Sequence, residues 1–326
     1  MLLLSKYDVA TVLDMPSAIE ATRAAFGMLA SHRVSMPRRI ATSIPEHDAT
    51  HLSMPCYLQG LPNRLVVKVV TVFPNNHERG EPTIQGQLLV HDPDSGRVVC
   101  MMDAELLTAV RTGAASALAT EYLARRDAHV VTVFGSGAQA WQQLAGVAQV
   151  RRVERAFVVS RSAERGRKFA DDATEQFHFP VAFTPDGESA VTFADIICTA
   201  TNSLEPLFDG SSIKPGTHIN AIGSFRQEMR ELDSLTICAS RVFVDHKESA
   251  MRGAGDLMTP VLNGEFDWSL LSGELGDLVM GRNAGRMSEK EVTVFKSVGL
   301  AIQDAVVGGL VYDRAVELGL GQTVEW

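Results

Sequence analysis

The hydrophobic pattern changes twice along the chain. From Met15 to His32 ("MPSAIEATRAAFGMLASH") apolar residues recur at helical spacing, and Pro16 suits a first helical turn. "RLVVKVVTVF" (Arg64–Phe73) is rich in β-branched residues and reads as a strand. "TIQGQLLVH" and "RVVCMMD" read as two more strands joined through "DPDSG" (Asp92–Gly96), a turn-forming cluster. Alanine-rich "AELLTAVRTGAASALATEYLARR" (Ala104–Arg126) predicts a long helix. Beyond it, the strands "HVVTVF", "ERAFVVS", "FADIICTAT", "GTHINAIGS" and "ASRVFVDH" are interspersed with helical stretches such as "RSAERGRKFADDATEQF". Strands alternating with helices predict a parallel sheet with crossover helices. The tail "SEKEVTVFKSVGLAIQDAVVGGLVYDRAVELG" reads as helical and is expected to pack back on the first part.

Composition narrows the function. The 326 residues suffice for two domains or one large α/β domain, and 45% hydrophobic with 21% charged residues is the balance of a globular protein. A net charge of −9 without a basic block speaks against nucleic acid as a partner. Apolar runs are strand-sized, so no membrane span is expected, and the N-terminal "MLLLSKYDVATVLD" lacks the basic start and cleavage site of a signal peptide. Cys56, Cys100, Cys198 and Cys238 are scattered without a paired motif, which suggests reduced thiols and a cytoplasmic location, each thiol acting as a small buried hydrophobe.

"VTVFGSGAQAWQQL" (Val131–Leu144) carries the first chemical signal. "GSGAQA" is a G-x-G-x-x-A turn with a strand before it, a helix after it and a second strand further on, the context a dinucleotide loop requires. Gly135 permits the sharp turn and Gly137 lets the backbone approach a pyrophosphate. Ala140 allows close helix–strand packing, and the helix N-terminus around Ser136, Ala138 and Gln139 offers N–H groups to phosphate. An ordinary strand–helix corner is the competing reading. At the end of the second strand an NAD site has a carboxylate for the ribose 2′-hydroxyl. Here stand Ser160, Arg161 and Ser162, and a guanidinium binds a 2′-phosphate, so NADP is expected in preference to NAD, with NADH still admitted. Otherwise Arg161 is a solvated surface residue.

Three cations stand in company that asks for an explanation. Strand alternation places Lys68 on the face of Val66, Val70 and Val72, where an unpartnered ammonium is costly. Arg111 sits among small and apolar helix residues, and Arg39 follows Arg38 after "VSMP". Arg111 alone reads as a structural ion-pair residue, and Arg38 and Arg39 as surface charges. Together, Lys68, Arg111 and Arg39 can form a pocket for a carboxylate. His47 and His51 lie four apart in a loop-like segment without a third ligand, so no metal is expected.

Those residues fall in blocks that resemble the ornithine cyclodeaminase/mu-crystallin family over nearly the whole chain. The blocks are "VVKVVTVFPNN", "GEPTIQGQLLVHDPDSG", "LLTAVRTGAASALATEYLA", "VFGSGAQA", "ADIICTATNSLEPLF", "KPGTHINAIGSF", "MRELD", "GAGDL" and "FKSVGLAIQDAV". The resemblance implies an α/β fold: a Rossmann-type parallel-sheet domain (114–284) and an α+β substrate-binding and dimerisation domain from both termini (1–113 and 285–326). It also implies a homodimer. It makes Lys68, Arg111 and Arg39 ligands of a substrate carboxylate and Thr83 a pocket residue. It puts Thr199, Ala200, Thr201 and Ser203 beside the nicotinamide, with Ser297 near that ring. Asp256 in "GAGDL" matches a block without a chemical role. Ornithine-cyclising members resemble "GGD" where this chain has "GSF", so Phe225 takes the acidic position; it cannot manage a distal amine but can pack on an apolar ring. The resemblance then favours the branch that reduces cyclic ketimine acids such as Δ1-pyrroline-2-carboxylate, with Lys68 or a water near Thr83 as proton source. An ornithine cyclodeaminase, an alanine-dehydrogenase-type oxidoreductase and a non-catalytic NADP-dependent binding protein are the alternatives.

Overall fold

The N-terminal segment folds as β1 (Leu2–Leu4), α1 (Lys6–Val12), α2 (Met15–Ala30), β2 (Val34–Ser35), β3 (Ile40–Ile44), β4 (Ala49–Leu58), β5 (Arg64–Val72), β6 (Ile84–His91) and β7 (Val98–Asp103). The helix α3 (Glu105–Leu123) leads into β8 (Val130–Phe134), α4 (Ala138–Val150), β9 (Arg155–Val159), α5 (Ala163–Phe177), β10 (Val181–Thr184) and α6 (Gly187–Phe193). After these come β11 (Ile196–Thr199), β12 (His218–Ala221), α7 (Ser234–Cys238), β13 (Arg241–Val244), α8 (Lys247–Gly253) and α9 (Gly255–Leu262). The chain closes with β14 (Gly273–Glu274), α10 (Leu275–Val279), β15 (Thr293–Lys296), α11 (Ala301–Leu318) and β16 (Gln322–Thr323). These elements come from a computed structural model, which describes residues 1–60 and 62–325. They fall into two units: residues 1–111 with the chain from Leu300 onward, and residues Thr112–Gly299.

In the first unit the described strands run in the order β16-β1-β7-β6-β5-β4-β2, with β3 also beside β4. The meander β4–β5–β6–β7 is antiparallel, and the Asp92–Gly96 turn joins β6 to β7 as its residues predict. Asp92 accepts from the Asp94 N–H at 3.2 Å, and Gly96 takes the left-handed φ of 75° that the turn needs. Strand alternation buries Val66, Lys68 and Val70 of β5 against the core. The helix α11 packs on β4, β5, β6 and α2, so C-terminal residues complete the core of the N-terminal segment. Asp14 caps α2, accepting from the Ser17 N–H at 2.8 Å.

The second unit is the parallel sheet foreseen from the strand–helix alternation. Its described strands run β10-β9-β8-β11-β12-β15-β13-β14, all in parallel pairs. Every residue of β8 is buried, as expected of a strand covered on both faces.

Two expectations differ from this structure. The stretch "SEKEVTVFKSVG" is not helical: Thr293–Lys296 form β15, buried throughout and paired with both β12 and β13. Its β-branched and aromatic residues favour a strand, and Gly299, at φ 77°, breaks the path before α11 begins. The second unit accordingly runs to Gly299 rather than ending at 284. The thiols also divide: Cys56, Cys100 and Cys198 are buried, but Cys238 is exposed at the end of α7. Among the described residues no helix is long and apolar enough to cross a membrane.

Candidate active site

In the first unit the structure brings Lys68 and Arg111 onto one carboxylate. Lys68, on β5, is 1% exposed, and its Nζ lies 2.9 Å from Oδ1 and 2.8 Å from Oδ2 of Asp304 on α11. Arg111, on α3, sets Nε 3.1 Å from Asp304 Oδ1 and donates from Nη1 to Gln303 Oε1 at 3.0 Å. Burial pulls the Lys68 ammonium down to about 8; Asp304 opposes this, and the charges of Arg111 and Arg39 add to the fall. Arg39, half-buried between β2 and β3, is therefore close enough for its charge to act on Lys68. Thr83, partly buried, stands immediately before β6, where its carbonyl accepts from the Phe73 N–H at 2.8 Å.

In the second unit the glycine turn has the shape a dinucleotide needs. Gly135 has a φ of 114°, and a Cβ there would lie 2.5 Å from the Ala200 carbonyl oxygen. Gly137 is the N-cap of α4 without a side-chain cap, and nothing stands within 4 Å of where its Cβ would be. The N–H groups of the first turn of α4, from Ala138 and Gln139 onward, thus receive no side-chain cap from Gly137, and no acid in that turn competes. Gln139 Oε1 is buried without a hydrogen-bond partner among the described residues. The glycine turn and the uncapped helix N-terminus fit a bound pyrophosphate. At the end of β9, Ser160 Oγ sits 2.9 Å from Ser136 Oγ and accepts from the Ser162 N–H at 3.3 Å. Ser162 caps α5, and exposed Arg161 reaches Asn202 Oδ1 at 3.2 Å.

The loop after β11 is tied down by an acid that sequence reasoning passed over. Glu231, fully buried, accepts from Thr199 Oγ1 (2.8 Å), Thr201 N (2.7 Å), Thr201 Oγ1 (2.8 Å) and Gly223 N (2.8 Å). The hydroxyls of Thr199 and Thr201 are thus directed at Glu231, and Ser203 donates to the Glu205 carbonyl at 2.7 Å. Asp256 accepts from the Glu231 and Leu232 N–H groups at 2.6 and 3.0 Å and pairs with Lys296 at 2.8 Å. Ser297 donates to Asp245 Oδ2 at 2.7 Å. Phe225 packs against the apolar core of this unit, with the Arg226 guanidinium 5.8 Å from its ring.

The family model for the ornithine cyclodeaminase/mu-crystallin family matches residues 1–319. The chain belongs to that family. It is 37% identical to a Δ1-pyrroline-2-carboxylate reductase of Bacillus cereus over 327 residues, all of both chains. Among solved structures, the Δ1-pyrroline-2-carboxylate reductase of Thermococcus litoralis in complex with NADH and L-proline superposes with a TM-score of 0.97 at 37% identity, covering 99% of this chain and 100% of that one. An archaeal alanine dehydrogenase dimer with bound NAD superposes at 0.94 with 29% identity, over 100% of this chain and 99% of that one. As a member of this family the chain has the fold that its blocks imply.

Asp304 and Gln303 lie inside "FKSVGLAIQDAV", and Glu231 inside "MRELD"; both blocks were visible in the sequence, but nothing local marked these side chains as partners of the site. Asp256 acquires a structural role: it holds the Glu231 backbone and offsets the charge of Lys296.

Proposed function

We propose that this NAD(P)H-dependent oxidoreductase of C=N bonds reduces a cyclic ketimine acid, Δ1-pyrroline-2-carboxylate or Δ1-piperideine-2-carboxylate, to L-proline or L-pipecolate. The observation that carries this reading is the gathering of Lys68 and Arg111 around a single carboxylate, Asp304, with the charge of Arg39 also acting on Lys68. That cluster has more cationic than anionic groups at a buried place, which suits a substrate carboxylate. The names of the Bacillus cereus and Thermococcus litoralis relatives, and the L-proline in the latter structure, support the same substrate class.

A nicotinamide dinucleotide supplies the hydride when bound, held by the turn Gly135, Ser136, Gly137, Ala138 and Gln139 and flanked by Thr199, Ala200, Thr201, Ser203 and Ser297. That hydride would reduce the imine carbon, which leaves the chain's own residues to orient the ring and give the imine nitrogen its proton. Lys68, brought to about 8, is suited to release that proton near neutrality. Arg111 and Arg39 hold the carboxylate and so restrict the ring to one orientation. Thr83, immediately before β6, is a substrate contact in this reading, and Phe225 stands where an ornithine-cyclising enzyme needs an acid to manage an amine. NADPH is preferred over NADH: Ser160, Arg161 and Ser162 follow β9 without a carboxylate. The working form is a homodimer, as the archaeal alanine dehydrogenase is a dimer.

The test is a substrate panel at neutral pH. NADPH oxidation is expected with pyrroline-2-carboxylate and piperideine-2-carboxylate, well above that with pyruvate plus ammonia. NAD reduction confined to ornithine would overturn the reading, and tight NADPH binding without turnover would make the protein a binder.

A further inference from the structure

The charged contacts of Lys68 and Arg111 converge on the first turn of α11, while Lys68 also donates to Thr108 Oγ1 of α3 at 3.5 Å. Asp304 meets Lys68 through both oxygens and Arg111 through one. Its neighbour Gln303 accepts from Arg111 Nη1 and from the Leu300 N–H at 2.8 Å, so the same turn is locked to its own start. Lys68 comes from β5 and Arg111 from α3, and without a shared anion two buried cations at this range repel. Asp304 is fully buried, so its charge acts without screening by water.

We propose that Asp304 is the positioning residue of this site: it keeps the Lys68 ammonium charged and aimed, and it fixes the Nε edge of Arg111 so that both cations present one face to the substrate carboxylate. The chemistry it serves rests on the ketimine-reductase reading; the geometry does not. The charged or titratable groups that face Lys68 or its partner are Asp304 on α11, Arg111 on α3, Arg39 before β3 and Cys56 on β4. Burial pushes the Cys56 thiol up to about 12, so it stays neutral over the working range. Asp304 is the largest influence raising Lys68 against its burial. Loss of its charge therefore lowers the pH at which Lys68 gives up its proton, and an activity that needs the ammonium fails at lower pH.

The experiment compares wild type, Asp304→Asn and Asp304→Glu in NADPH oxidation with pyrroline-2-carboxylate from acid to alkaline pH. Asp304→Asn is expected to lose about 100-fold in kcat/KM at neutral pH. Its alkaline limb should move acidward by about one to three pH units, so that lowering the pH restores part of the rate. Asp304→Glu should return the limb to its wild-type place. An equal loss at every pH, with the limb unmoved, would reduce Asp304 to a packing residue and overturn the proposal. If Asp304→Asn does not fold, Asp304→Glu decides: a wild-type limb with lowered kcat supports positioning, whereas unchanged kcat and limb refute it. L-Proline binding in the presence of NADPH, followed by calorimetry against pH, separates this inference from the functional reading. Binding that is lost on raising the pH, and lost from a more acid pH in Asp304→Asn than in wild type, would sustain the role of Asp304 even in a protein that turns over no ketimine; an unmoved pH dependence would refute it.

Discussion

Lys68 and Lys296 make an instructive pair. Each is a fully buried lysine on a strand within a sheet, and each lies 2.8 Å from an aspartate on a helix. Their surroundings are opposite. Asp304 is shared by Lys68 and Arg111, so two cations meet one carboxylate. Asp256 instead takes two backbone N–H groups besides Lys296, and Glu231 beside it takes four more donors. The second cluster is richer in acid, and its carboxylates are engaged by backbone and hydroxyl donors. A buried lysine–aspartate pair therefore says little by its own distance; the excess or completion of charge around it separates a group available to a ligand from one that braces a loop.

The largest effect expected from this contrast is on folding. Lys296→Met leaves Asp256 buried without its cation and should cost about 3–5 kcal/mol, read from the denaturant midpoint. An unchanged midpoint with lost activity would put Lys296 in the same class as Lys68 and break the comparison. Next comes Arg111→Ala, for which kcat/KM with the ketimine should fall by the equivalent of about 2–5 kcal/mol while the NADPH dissociation constant stays nearly the same. Parallel loss of both would make Arg111 as structural as Lys296. The smallest effect belongs to exposed Arg161, outside both clusters: Arg161→Ala should lower the NADPH-to-NADH preference by about tenfold in steady-state kinetics. A wild-type enzyme that prefers NADH would sink the assignment of Arg161 to a 2′-phosphate.

What was legible in the sequence follows the range of the interactions. The β6–β7 hairpin, the glycine turn and the inward direction of Lys68 depend on residues close in the chain, and periodicity revealed them. The partner of Lys68 lies 236 residues away, so the strand alone shows which face the lysine takes but not what meets its charge. Glu231 was missed for another reason: half of its donors are backbone N–H groups, which have no sequence signature. The strand β15 was hidden because "VTVF" follows the charged run "SEKE" and precedes a true helix, and only its pairing with β12 and β13 sets it apart. The family resemblance reached further than these local signals, since it drew on the order of whole blocks.

The placement of α11 has a consequence for how the protein is made. The second unit is one unbroken stretch, Thr112 to Gly299, and can fold while the ribosome is still working. The meander β4–β7 is synthesised earlier but lacks the helix that covers β4, β5 and β6 until the whole second unit has been made. For that interval its apolar face waits uncovered in a nascent chain, and Lys68 acquires its counter-charge only after the second unit has been made.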